Sequence, residues 1–130
     1  GLALAQPKPV IVIDGDGSVL TNLGTLLTIA NNVADNYILM IIDNGSYGST
    51  GDQPTYTGKK TCLAGMARAA GCENVVEVQD VDTGTALQAA LDSGKMTVMV
   101  VKCDSGNAKN PVITMDPVVI RHRFMEAVKS

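Results

Sequence analysis

Tryptophan is absent, phenylalanine occurs once and tyrosine three times, so aromatic residues make up only 3% of this 130-residue chain. A core built on packed rings is thereby excluded, and the 45% hydrophobic share must be assembled from Val, Ile, Leu, Met and Ala. Long apolar runs are missing too: the longest, 10–13, 38–42 and 98–101, fall far short of the ~20 residues a membrane-spanning helix needs. Charge of one sign is scarce, since ten Lys and Arg stand against thirteen Asp and Glu, giving a net charge of -3. That balance argues against nucleic-acid binding through a general positive field. Cys62, Cys72 and Cys103 are odd in number and lack C-x-x-C spacing. They read as buried free thiols in a reducing, cytoplasmic setting rather than as a disulfide framework or a zinc site. Residues 1–6 carry no basic stretch of the kind that opens a secretory signal.

What is present suits one domain over 1–130, long enough to bury roughly two thirds of the surface its unfolded form exposes. Mean hydropathy is +0.16, a surplus of apolar residues expected to cover interfaces with other chains. Four Val-, Ile- and Met-rich runs, 10–14, 37–43, 75–78 and 97–103, are continuous rather than alternating. That pattern predicts strands buried on both faces of a parallel sheet. Between them Leu20, Leu23, Leu27 and Ala30 recur at helical spacing, as do Leu63, Met66, Ala67 and Ala70 before Gly71. Leu87, Ala90 and Leu91 before Gly94 predict a third helix, and Lys59 and Lys60 are expected at a helix start. Asp116-Pro117 opens a last helix with Ile120, Phe124 and Val128 on its apolar face. Strand and helix alternate, so the fold class is α/β, three-layered, with helices on both faces of a mainly parallel sheet. No repeat or low-complexity tract is evident. One long glycine-rich loop, 44–58, follows the second strand, on the edge where open α/β sheets bind ligands.

The string Asp14-Gly15-Asp16-Gly17-Ser18 joins the first strand to the first helix. Its glycines permit a tight turn and close approach of a ligand, and the helix start near Ser18 favours an anion. A carboxylate beside an anion site needs a cation between them, so Asp16 points to a hard metal such as Mg2+. Asp and Gly also make ordinary turns. An EF-hand fails because Val19 and Thr25 stand where Gly and Glu are required. The run Val12 through Leu20 also resembles the first motif of haloacid-dehalogenase-like phosphatases, which would make Asp14 the nucleophile and Asp16 the general acid. Asp80, Asp82 and Asp104 do not have the form of that family's later acidic motif.

Gly15-Asp16-Gly17-Ser18, followed by Asn44 in Ile41-Ile42-Asp43-Asn44-Gly45-Ser46-Tyr47-Gly48, resembles the G-D-G…N-N signature of thiamine-diphosphate enzymes. The stretch through Ser49-Thr50-Gly51-Asp52-Gln53-Pro54-Thr55 is similar to sulfopyruvate and phosphonopyruvate decarboxylases, leaning to the former, and the resemblance spans nearly the whole chain. It implies that Asp16, the Asn44 side-chain oxygen and the Ser46 carbonyl hold Mg2+, and that Gly15, Asp16, Gly17, Ser18, Asn44, Ser46, Tyr47 and Gly48 bind thiamine diphosphate. Asp43 departs from the pattern, standing where the first Asn is expected. The resemblance further implies decarboxylation of a small anionic 2-oxo acid, 3-sulfopyruvate or phosphonopyruvate. A pyrimidine-binding (alpha) subunit would carry the cofactor-activating glutamate, so the chain is expected in homo- and hetero-oligomers and inactive alone. The apolar residue that bends the cofactor would lie upstream of Gly1, so an N-terminally truncated domain is expected. Ser49, Thr50 and Gln53 are candidates for substrate contact, whereas His122, between Arg121 and Arg123, reads as a surface or interface residue. A noncatalytic assembly module remains the alternative from another class.

Overall fold

The computed structural model describes residues 1–32, 34–106, 110–111, 113 and 116–129. Helix α1 (Leu2–Ala5) precedes β1 (Val10–Gly15), which runs directly into α2 (Asp16–Thr21) and α3 (Gly24–Asn32). After β2 (Tyr37–Asp43) come two short strands, β3 (Ser46–Tyr47) and β4 (Gln53–Pro54), and a 3-10 turn at Tyr56–Gly58. Then follow α4 (Leu63–Ala69), β5 (Val75–Gln79), a 3-10 turn at Asp80–Asp82, α5 (Thr83–Ser93), β6 (Thr97–Lys102) and α6 (Pro117–Lys129). The four long strands pair in parallel in the order β1-β2-β6-β5. Parallel neighbours need crossovers, and the crossovers lay helices on the sheet. Val19, Leu26, Ile29, Leu63 and Ala67 of α2, α3 and α4 close one face over Leu39, Ile41, Val98 and Val100. On the other face Ala86 and Leu87 of α5 pack with Met40, Met99 and Val101.

The expectation of four strands buried on both faces holds only for the two central ones. In β1 burial alternates, leaving Ile11 40% and Ile13 68% exposed, and β5 likewise exposes Val76. Position in the sheet, which composition does not report, decides this: an edge strand has one neighbour, and α5 does not reach across to β1. The helix expected over 20–30 is two helices. Asn22 leaves helical geometry (φ -146°, ψ 72°) and Gly24 opens the second, so Leu26 and Ile29 turn inward while Leu27 is exposed. Lys59 and Lys60 lie in a turn; the helix begins after Cys62, whose Sγ accepts the Gly65 N–H.

Gly71 ends α4 with φ +104°, as its sequence position predicts, although Met66 is exposed. Gly94 caps α5 in the left-handed region. Asp116 caps α6 by accepting the N–H groups of Val118 and Val119, but none of the residues of that helix is buried. Ile120 and Phe124 are therefore open rather than packed on the sheet. The cysteines are free, as expected, but only Cys72 is buried, and burial pushes its thiol up; Cys62 is exposed. No helix among the described residues is long and apolar enough to cross a membrane.

Candidate functional site

Parallel pairing brings the C-terminal ends of β1, β2 and β6 to one edge of the sheet, where they deliver Gly15, Asp43 and Lys102. Asp16 follows β1 and is the first residue of α2, so its carboxylate is carried into the space between α2 and the 44–58 loop and is only 1% exposed. The adjoining Gly17 makes room for that loop. A Cβ built there would stand 2.6 Å from Cδ1 and Cε1 of Tyr47, closer than carbon atoms pack. Gly17→Ala is expected to displace the Tyr47 ring and destabilise the domain by about 1–3 kcal/mol. The penalty should shrink in a Tyr47→Ala background; an equal loss in both backgrounds, measured by urea unfolding, would contradict it.

Around Asp16 the side chains form one hydrogen-bonded cluster. Its Oδ2 accepts from Thr55 Oγ1 at 2.5 Å and lies 2.9 Å from Thr57 Oγ1. The two hydroxyl oxygens are 2.8 Å apart, and Thr57 Oγ1 is 2.6 Å from Asp43 Oδ1. Asp43 Oδ2 in turn pairs with Lys102 Nζ at 2.5 Å. Burial lowers the Lys102 pKa, but the hydrogen bond and charge of Asp43, helped by Glu77, outweigh it and hold the ammonium above its ordinary value. A raised lysine keeps its contribution at neutral pH and loses it only on passing above the usual lysine range. Asp16 has no such counter-charge: among the described residues it forms no ion pair. An uncompensated buried carboxylate is costly, and the arrangement is relieved by a cation.

Further oxygen atoms lie on the loop that follows β2. Asn44 Oδ1 accepts the Ser46 N–H at 3.0 Å, making an Asx turn that fixes the amide, and keeps a second lone pair. Gly45, at φ +69°, lets the chain reverse, and its carbonyl accepts the Thr55 N–H at 2.8 Å. The Ser46–Pro54 pair is thereby of the non-hydrogen-bonded kind, so the Ser46 carbonyl is turned out of the hairpin. The Ser46 hydroxyl is taken by Asp52 Oδ1 at 2.5 Å. Among the described residues no three His, Cys, Asp or Glu side chains cluster for a metal. A carboxylate, an amide oxygen and a carbonyl are instead the mixed hard donors that suit Mg2+, so the residues present fit that ion.

The remaining expected residues divide. Gly15, Gly17, Ser18, Tyr47 and Gly48 lie on the two segments that frame Asp16, with Ser18 on their exposed side; Ser49, Thr50, Gln53 and His122 are exposed as well. Asp14 is not part of the cluster: it accepts the Gly15 N–H and lines a separate cavity of about 280 Å3 with Ser18, Thr25 and Tyr37. Burial raises the Tyr37 pKa there, and the Asp14 charge adds to it. A phosphatase pair of Asp14 and Asp16 is thus not assembled. Asp80, Asp82 and Asp104 are exposed. Cavity size does not mark the site either, since a larger cleft, about 370 Å3, lies toward the start of β1 between α1, α3 and Tyr37. The sequence reading missed Thr57 and Lys102 altogether and had Thr55 only as the end of a motif; a polar residue at a strand end opposite Asp43 was the one available signal for Lys102.

Residues 1–101 match the family model described as thiamine pyrophosphate enzyme, C-terminal TPP binding domain. The chain is 46% identical over 129 residues to sulfopyruvate decarboxylase subunit beta of Methanocaldococcus jannaschii, an alignment covering 99% of this chain and 69% of that one. It is 36% identical to sulfopyruvate decarboxylase of Methanosarcina acetivorans, over 98% of this chain and 33% of the relative. Phosphonopyruvate decarboxylase of Streptomyces viridochromogenes is 33% identical, over 95% of this chain and 32% of the relative. The family match takes in both the Asp16 turn and the Asn44 loop, and on that evidence the chain belongs to the thiamine pyrophosphate enzymes and carries their C-terminal cofactor-binding domain.

Proposed function

We propose that this chain holds the diphosphate of thiamine diphosphate through Mg2+ in a decarboxylase that converts 3-sulfopyruvate to sulfoacetaldehyde and CO2. The observation that carries the reading is the buried Asp16 carboxylate, without a counter-charge, facing the loop that bears Asn44 and Ser46. Asp16 Oδ atoms, Asn44 Oδ1 and the Ser46 carbonyl would hold the metal. Gly15, Gly17 and Ser18 belong to a first helical turn whose N–H groups lack intrahelical acceptors, and Tyr47 and Gly48 close the other wall. When bound, the cofactor supplies the nucleophilic carbon that attacks the keto group and the electron sink for loss of CO2. The protein's part is to fix the diphosphate end, so that the reactive end meets a pyrimidine-binding subunit in a constant position. The name of one relative, a subunit beta, supports a beta-type subunit that works with a second chain; in this reading that chain is the pyrimidine-binding subunit, and the two assemble as a homo- and hetero-oligomer in the cytoplasm.

The chain is expected to be inactive alone and to gain Mg2+-dependent decarboxylation on mixing with the pyrimidine-binding subunit. Release of CO2 from 3-sulfopyruvate and from phosphonopyruvate should be compared at equal concentrations in the reconstituted complex. Preference for phosphonopyruvate would move the assignment to the second substrate, and turnover without thiamine diphosphate would end it.

A further inference from the structure

Asp43 stands where the family signature leads to an asparagine, and its surroundings show what the acid does. Its two oxygens are engaged on opposite sides, Oδ2 by Lys102 and Oδ1 by Thr57. The parallel register places Asp43 directly beside Lys102, and the Cys103 N–H bonds the Asp43 carbonyl at 3.1 Å, so the ends of β2 and β6 are clipped together. The carboxylate is 2% exposed. A proton count then constrains the cluster. Four short oxygen–oxygen contacts link Asp16, Thr55, Thr57 and Asp43. The two threonine hydroxyls contribute two protons, one each, which can occupy two of those contacts. The shortest contacts, 2.5 Å from Thr55 to Asp16 and 2.6 Å from Thr57 to Asp43, are where they belong. Thr57 then gives its proton to Asp43 and presents only lone pairs toward Asp16 and Thr55.

We propose that the Asp43–Lys102 pair is a positioning device for Asp16: it draws the Thr57 proton away from the Asp16 carboxylate and leaves that carboxylate its full charge for the cation. The inference rests on the magnesium-binding reading above. Lys102 makes the device possible, because its ammonium balances the Asp43 charge, where two unpaired carboxylates sharing one hydroxyl would repel each other. An asparagine at 43 can donate through its amide. Thr57 would then turn its hydroxyl to Asp16 Oδ2, and two hydrogen bonds on that oxygen would compete with the metal. Groups behind a metal ligand commonly govern affinity by 10- to 100-fold.

The test is calorimetric titration of Mg2+ into the complex of this chain with its pyrimidine-binding subunit, at saturating thiamine diphosphate. Asp43→Asn is expected to weaken Mg2+ by 10- to 100-fold, Lys102→Met by a similar factor, and the double variant by no more than either single one. In a Thr57→Val background the Asp43→Asn loss should fall to within about threefold, since the proton that Asp43 controls is gone; a merely structural Asp43 would keep its effect there. Thermal melts establish that each variant is folded, and a variant that does not fold is replaced by Asp43→Ser, for which the same loss and the same dependence on Thr57 are expected. Normal Mg2+ affinity in Asp43→Asn, or an undiminished loss in the Thr57→Val background, overturns the positioning role while leaving the cofactor reading intact. Failure of the unmodified complex to bind Mg2+ with thiamine diphosphate overturns both.

Discussion

Replacing Asp16 by alanine or asparagine is expected to weaken Mg2+-dependent binding of thiamine diphosphate by more than about 100-fold, beyond the range seen when groups behind a ligand are removed. The same substitution is expected to act in the opposite direction on the metal-free protein. Asp16 is 1% exposed, its Oδ2 is met by the Thr55 and Thr57 hydroxyls, and no cation among the described residues balances it. Without a metal the charge carries a desolvation cost that the neutral hydroxyls beside it do not offset. Asp16→Asn keeps the shape and an acceptor for Thr55 while discarding that charge, so its metal-free melting temperature should equal or exceed that of the unmodified chain by a few degrees, about 1 kcal/mol. Calorimetry with the partner subunit reads the first effect and scanning calorimetry with chelator reads the second. Unchanged cofactor affinity, or a melting temperature several degrees lower for the Asn variant, would show that the carboxylate serves the fold rather than a cation.

Ile41→Ala is expected to destabilise the domain by about 2–5 kcal/mol, whereas Ile13→Ala should change stability by no more than about 0.5 kcal/mol. Both residues sit in strands of the same sheet and read alike in sequence. Ile41 is in a central strand and 0% exposed, packed among Val19, Leu26 and Val98; Ile13 is in an edge strand and 68% exposed. Since a domain of this kind has only about 5–15 kcal/mol in hand, the Ile41 change removes a large part of it. Urea unfolding followed by circular dichroism measures both. Comparable losses at the two positions would mean that the β1 face is covered in solution.

The fold was legible wherever a local signal sufficed. Continuous Val and Ile runs marked the strands, and Gly71, Gly94 and Asp116 marked helix ends, because each of these depends on neighbours within a turn. Burial of the edge strands was not legible, because Ile13 and Ile41 differ only in which strands flank them. Nor was the break at Asn22, where the apolar spacing of Leu20, Leu23 and Leu27 continued smoothly across a change of backbone direction. In the site, Asp16 and Asn44 were visible because their residue types and spacing are set by the ion they suit. Thr57 and Lys102 were not, because a hydroxyl and an ammonium become part of the site only when the loop folds back and β6 inserts beside β2.

The half-open β1 has a consequence for how the isolated polypeptide behaves. It pairs with β2 on one side only, so the other side presents a row of backbone donors and acceptors next to bare Ile11 and Ile13. Such an edge is a template for strand addition, and short prolines are one natural guard against it. Here Pro7 and Pro9 protect only the entrance to the strand. With the apolar side chains of α6 equally uncovered, the polypeptide on its own is expected to associate with itself as concentration rises, which light scattering across a dilution series would read.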